Sequence, residues 1–94
     1  MGVLESFNLK EKVSLVTGGG RGIGRAIAEA LAEAGSNVII ASRNIENCRT
    51  VADAIAGSGV RTLPLRCDLR DNNDIERAVK DSLKEFRRID ILVN

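Results

Sequence analysis

The sequence has no histidine, no tyrosine and no tryptophan, and only two phenylalanines, two cysteines and one proline in 94 residues. Without histidine, the commonest general acid–base side chain is missing, and with it any His-based triad or His-containing metal site. Two phenylalanines leave almost nothing on which nucleic-acid bases could stack, and a net charge of +1 gives no field toward nucleic acid or an anionic membrane. Cys48 and Cys67 are far apart in the chain and form no CxxC. Neither a disulfide scaffold nor a zinc site is expected, only reduced thiols in a reducing compartment. No apolar run approaches the ~20 residues of a membrane span. The start, MGVLESFNLKEKV, lacks an apolar stretch long enough for a signal peptide. Gly2 and Ser6 match an N-myristoylation pattern, but no polybasic patch follows as a second anchor. The expectation is a single-domain cytoplasmic protein with neither nucleic acid nor a membrane as partner.

Apolar residues at 44% and charged residues at 29% suit a globular domain, and the apolar residues have a clear order. KVSLVTG, Lys12 to Gly18, reads as a buried strand entering a glycine loop. Ile23, Ile27 and Leu31 then recur at helical spacing among alanines, and Gly35 is a natural stop. A second strand spans Asn37 to Ser42, and Asn44 is placed to cap a helix whose face carries Ile45, Cys48, Ala52 and Ile55. Gly57 to Gly59 end that helix. Thr62 to Cys67 read as a third strand, and Pro64, which lacks an N–H, assigns it to a sheet edge. Asp71 or Asn72 caps a third helix with Ile75, Val79, Leu83 and Phe86 on one face. Ile89 to Val93 form a last strand. Strands alternating with helices imply parallel pairing through right-handed crossovers. The expected architecture is α/β: a partial Rossmann fold with strand order 3-2-1-4 and three crossover helices.

TGGGRGIG, Thr17 to Gly24, lies between the first strand and the first helix. A helix N-terminus presents unsatisfied N–H groups and partial positive charge, and glycines let the backbone approach a phosphate closely. The plain alternative is a glycine turn that only packs a helix on a strand. The surrounding strand–helix alternation favours a dinucleotide cradle. Walker A is excluded, because Arg25 and Ala26 follow the last glycine where Lys and Ser or Thr belong. GxGxxG fails too, because its third place after Gly20 and Gly22 is Arg25.

Thr17, Gly18, Gly22 and Gly24 instead satisfy Thr-Gly-x-x-x-Gly-x-Gly, which resembles the short-chain dehydrogenase/reductase family. FNLKEKVSLVTGG is similar to that family's start, although Glu11 stands where Gly is usual. CDL, Cys67 to Leu69, resembles the turn after the third strand, and DILVN, Asp90 to Asn94, resembles the opening of the family's Asn-Asn-Ala-Gly motif. The resemblance spans essentially the whole chain. It implies that Gly18, Gly20, Arg21, Gly22, Ile23, Gly24, Ser42, Arg43, Asp68, Leu69 and Asn94 contact a nicotinamide dinucleotide, with Asp68 at the adenine amino group.

An NAD-preferring site places a carboxylate at the end of the second strand, about 20 residues past the glycines. Here Ala41 and Ser42 stand at that end, followed by Arg43. An Arg clamps a 2′-phosphate with paired charge-assisted bonds. NADP(H) is therefore expected over NAD, with Arg43 and Ser42 at the 2′-phosphate and Arg21 assisting. The alternative leaves Arg43 and Arg21 as solvated charges.

The resemblance also implies a catalytic Ser-Tyr-Lys set beyond the fourth strand, and this chain has no Tyr. No catalytic residue is expected here, and Lys80 and Lys84 read as a solvated face. Residues 1–94 are thus expected to be a truncated NAD(P)-binding domain, inactive alone. The complete protein is expected to be a homo-oligomer acting on a small alcohol or carbonyl compound. A non-catalytic dinucleotide-binding sensor or interaction module and a half-protein completed by a second chain remain open. The sheet face covered by one helix alone is expected to leave the fourth strand exposed and prone to association.

Overall fold

The computed structural model describes residues 8–18 and 22–94. Along the chain run β1 (Val13–Thr17), α1 (Gly22–Glu33), β2 (Asn37–Ser42), α2 (Ile45–Ala56), β3 (Thr62–Arg66), α3 (Asn72–Phe86) and β4 (Ile91–Val93). The strands form one parallel sheet in the order β3-β2-β1-β4, as the alternation and the right-handed crossover rule require. Pro64 sits on the edge strand opposite Ile40, where a missing donor breaks no ladder on the open side.

Side chains alternate across the sheet, and this splits the core in two. Val16, Val38 and Ile40 pack with Ala28 and Ala32 of α1 and with Cys48, Val51, Ala52 and Ile55 of α2. Val13, Leu15, Ile39 and Ala41 pack on the other side with Cys67 and with Ala78 and Phe86 of α3. Ile39 and Ile40 lie adjacent in β2 and face opposite layers, both fully buried. Each such burial is worth roughly 1.5–3 kcal/mol.

Capping follows local chemistry. The Asn44 side chain accepts from the Asn47 N–H at the start of α2. Asp71, rather than Asn72, caps α3 by accepting from the N–H groups of Asn73 and Asp74. The third strand stops at Arg66 and the fourth begins at Ile91, each shorter than the apolar runs suggest.

Two helix faces differ from the apolar stripes. In α1 the buried residues are Ala28 and Ala32, whereas Ile23 is 81% exposed at the first turn. Small side chains let the helix approach the sheet closely, and Ile23 lies at the helix end beside the glycine loop. In α3 the buried residues are Asp74, Ala78, Ser82 and Phe86. Only Phe86 of the expected stripe is buried there; Ile75 is partly covered, and Val79 and Leu83 remain exposed. The helix is turned by about one residue, or roughly 100°. The turn is possible because the buried polar groups are satisfied. Ser82 Oγ donates to the Ala78 carbonyl at 2.7 Å, and Asp74 is bonded from several sides.

Candidate functional site

At the carboxyl ends of the strands, β1 gives way to Gly18, whose N–H donates to the Ala41 carbonyl at 2.7 Å. Gly18 has φ +68° and Gly22, which opens α1, has φ +64°. Among the described residues, a Cβ at either position would meet nothing within 4 Å, so what these glycines serve is the left-handed backbone conformation. The first turn of α1 holds no acidic side chain, whereas those of α2 and α3 hold Glu46 and Asp74. An anion approaching α1 therefore meets no carboxylate in that turn.

Beside Gly18 opens a cleft of about 340 Å³. Ala41, Ser42 and Arg43 line it from the end of β2, and Cys67, Asp68, Leu69 and Arg70 from the loop after β3. Five of the residues expected from the sequence meet here: Gly18, Ser42, Arg43, Asp68 and Leu69. Gly20 and Arg21 lie outside the described residues. Ile23 and Gly24 occupy the first turn of α1, the former exposed and the latter half-buried. Asn94 lines a second, apolar cavity of about 200 Å³ on the α3 side of the sheet, shared with Leu69, Val79 and Leu92. Its Oδ1 lies 3.0 Å from the Thr17 hydroxyl, whose single proton is shared with the Val93 carbonyl at 3.2 Å. Cys67, Ala41 and Leu69 border both spaces.

The polar groups of the cleft differ in availability. The Ser42 hydroxyl is engaged within the chain: it donates to the Asn44 carbonyl at 3.1 Å, accepts from the Asn44 N–H at 3.2 Å and lies 3.0 Å from Cys48 Sγ. Arg43 is exposed and makes no ion pair among the described residues. Asp68 is held by Arg70, whose bonds lower its pKa to about 2, with a smaller push from the positive charge of Arg43. Burial pushes the Cys67 thiol up, and the carboxylates of Asp74 and Asp68 add to that. Cys67 is therefore a neutral thiol at neutral pH.

Sequence reasoning missed Arg70. The signal was an arginine two residues beyond an acidic turn residue, close enough for its side chain and its own N–H to reach the same carboxylate. It also missed Asp74, an acidic residue on the buried stripe of α3. Asp74 Oδ2 accepts from the Asp68 N–H at 3.1 Å and from Arg66 Nη1 at 3.0 Å, and its Oδ1 accepts from Arg77.

Fold and cleft define a doubly wound parallel α/β protein with its crevice at the strand ends, beside the point where the strand order reverses. More narrowly, the chain belongs to the short chain dehydrogenase family, whose model matches residues 12–94. It is 48% identical over 87 residues to the peroxisomal 2,4-dienoyl-CoA reductase [(3E)-enoyl-CoA-producing] of Pongo abelii, covering 92% of this chain and 30% of that protein. It is 39% identical over 92 residues to an uncharacterized oxidoreductase of Mycobacterium tuberculosis, covering 98% of this chain and 35% of that one. A crystal structure of a short-chain type dehydrogenase/reductase from Mycobacterium marinum superposes with a TM-score of 0.89 at 40% identity, covering 97% of this chain and 36% of that one. A hydroxysteroid dehydrogenase from Escherichia coli also gives 0.89, at 31% identity, covering 93% of this chain and 36% of that one. The chain thus spans about a third of the length of these relatives. The family is one of oxidoreductases that use NAD(P). No helix among the described residues is long and apolar enough to cross a membrane.

Proposed function

We propose that residues 1–94 form the dinucleotide-binding portion of an NADP(H)-dependent oxidoreductase that moves hydride between nicotinamide and an alcohol or carbonyl carbon. The observation that carries this is the joining of Gly18, Arg43 and Asp68 around one cleft at the strand ends. When bound, the nicotinamide supplies or accepts the hydride. The residues of this chain bind and orient. Gly18 and Gly22, both at positive φ, support the approach of a pyrophosphate to the start of α1, and the Asp68 carboxylate is an acceptor for an amino group on the base. Relatives with differently named substrates match the same stretch, which supports a shared cofactor role over any one substrate.

The NADP preference rests on Arg43 lining the cleft where Ala41 and Ser42 bring no carboxylate. With the Ser42 hydroxyl bonded to Asn44, Arg43 is the main contact for a 2′-phosphate. The reading includes a cytoplasmic location, in keeping with two buried, unbridged thiols. It also includes a homo-oligomeric complete protein, and no dehydrogenase activity from these residues alone, since the chain has no Tyr.

Calorimetry with 2′-phospho-ADP-ribose and with ADP-ribose tests the reading without needing catalysis. The phosphorylated ligand should bind at least roughly tenfold tighter. Equal or tighter binding of ADP-ribose overturns the NADP preference. Binding of neither overturns the dinucleotide site.

A further inference from the structure

Asp68 is fixed at both its backbone and its side chain. Its N–H is held by the buried Asp74 carboxylate at 3.1 Å, and its carbonyl accepts from the Asp71 N–H at 3.0 Å. Its Oδ1 accepts from the Arg70 N–H at 3.0 Å and from Arg70 Nε at 3.1 Å, and its Oδ2 accepts from Arg70 Nη2 at 3.0 Å. A carboxylate has about four acceptor sites. Arg70 fills both on Oδ1 and one on Oδ2, which leaves a single site, on Oδ2, for a ligand in the cleft.

We propose that Arg70 is a positioning residue that sets base selectivity: by pinning the Asp68 carboxylate in one orientation, it makes the cleft select a 6-amino purine over a 6-oxo purine. This rests on the dinucleotide reading above and goes beyond it. Adenine offers an exocyclic amino donor at its 6-position. Hypoxanthine puts a carbonyl oxygen there, which a carboxylate repels, and carries its nearest N–H one ring atom away. A carboxylate free to rotate re-aims at that ring N–H and tolerates the exchange. A carboxylate clamped at three of its sites does not. The Asp68 side chain is 19% exposed and that of Arg70 75%, so the side-on fork closes on a largely shielded carboxylate and fixes its direction.

The test compares NADPH with its 6-oxo (deamino) analogue by equilibrium binding to the 94-residue chain. The two ligands carry the same phosphates, so their affinity ratio cancels any uniform loss of positive charge. The wild-type chain should favour NADPH roughly tenfold or more. Arg70→Ala should narrow the ratio to within about twofold. Arg70→Lys keeps the charge without the planar fork and should narrow it as well. Circular dichroism checks that both variants are folded. A wild-type ratio preserved in both variants overturns the proposal, as does a wild-type chain that binds the two ligands equally while still binding them. A wild-type chain that binds neither overturns the dinucleotide reading, and this inference with it.

Discussion

Val13 and Asp90 close a reciprocal pair of hydrogen bonds: the Val13 N–H donates to Asp90 Oδ2 at 2.8 Å, and the Asp90 N–H donates to the Val13 carbonyl at 2.8 Å. The pair fastens the start of the β4 segment to the start of β1. Arg88 holds the same carboxylate and, with the Val13 bond, lowers its pKa. A lowered folded-state pKa stabilises the fold above the ordinary carboxylate value of ~3.9 and ceases to do so as pH falls through the lowered value. Asp90→Ala should therefore lower the melting midpoint at neutral pH, with the difference from wild type shrinking in acid. Faster amide exchange at Val13 should accompany it. An unchanged Val13 exchange rate would show that the pair does not hold the seam.

Helix α1 meets the sheet through alanine rather than isoleucine. Ala28→Leu should destabilise by about 1–3 kcal/mol through overpacking. Ile23→Ala should stay within about 0.5 kcal/mol, as an exposed position. Urea melts of the two variants decide the matter, and the reverse order of effects would refute this packing.

Asp68 should remain ionised in moderately acidic solution. Its pKa of about 2 means that the stability it contributes is present above ~3.9 and lost only as pH falls toward that lower value. Carboxyl carbon NMR from about pH 6 to about pH 3 should show no titration midpoint in the wild type. In Arg70→Ala the midpoint should rise into that window. A wild-type midpoint near the ordinary value would mean that the Arg70 bonds do not persist in solution.

Arg43→Asp places a carboxylate where a 2′-phosphate is proposed to sit. It should weaken 2′-phospho-ADP-ribose by roughly tenfold or more while sparing or improving ADP-ribose. Parallel weakening of both ligands would show that Arg43 acts as a general charge and not as the 2′-phosphate contact.

Leu69, Val79, Leu83 and Leu92 leave an exposed apolar face over α3 and the edge strand β4. Such a surface with an open edge favours association. Leu92→Lys should lower light scattering of the 94-residue chain at high concentration without lowering its melting midpoint. Scattering that is unchanged would place the sticky surface elsewhere.

Much of this protein is legible in residues close together in the chain. The strand–helix alternation, the caps at Asn44 and Asp71 and the edge position of Pro64 follow from periodicity, cap chemistry and a missing donor. These act within a few residues, so the sequence displays them directly, and right-handed crossovers convert their order into the topology. Tertiary structure alone decided which face of α3 meets the sheet, because that depends on whether Asp74 and Ser82 find partners inside. It also decided that the Ser42 hydroxyl is tied to α2, that Asp90 returns to Val13 and that Asp74 holds the turn carrying Asp68. Each of these needs side chains to meet at a geometry that composition and spacing do not encode, since the free energy of a hydrogen bond depends on distance and direction.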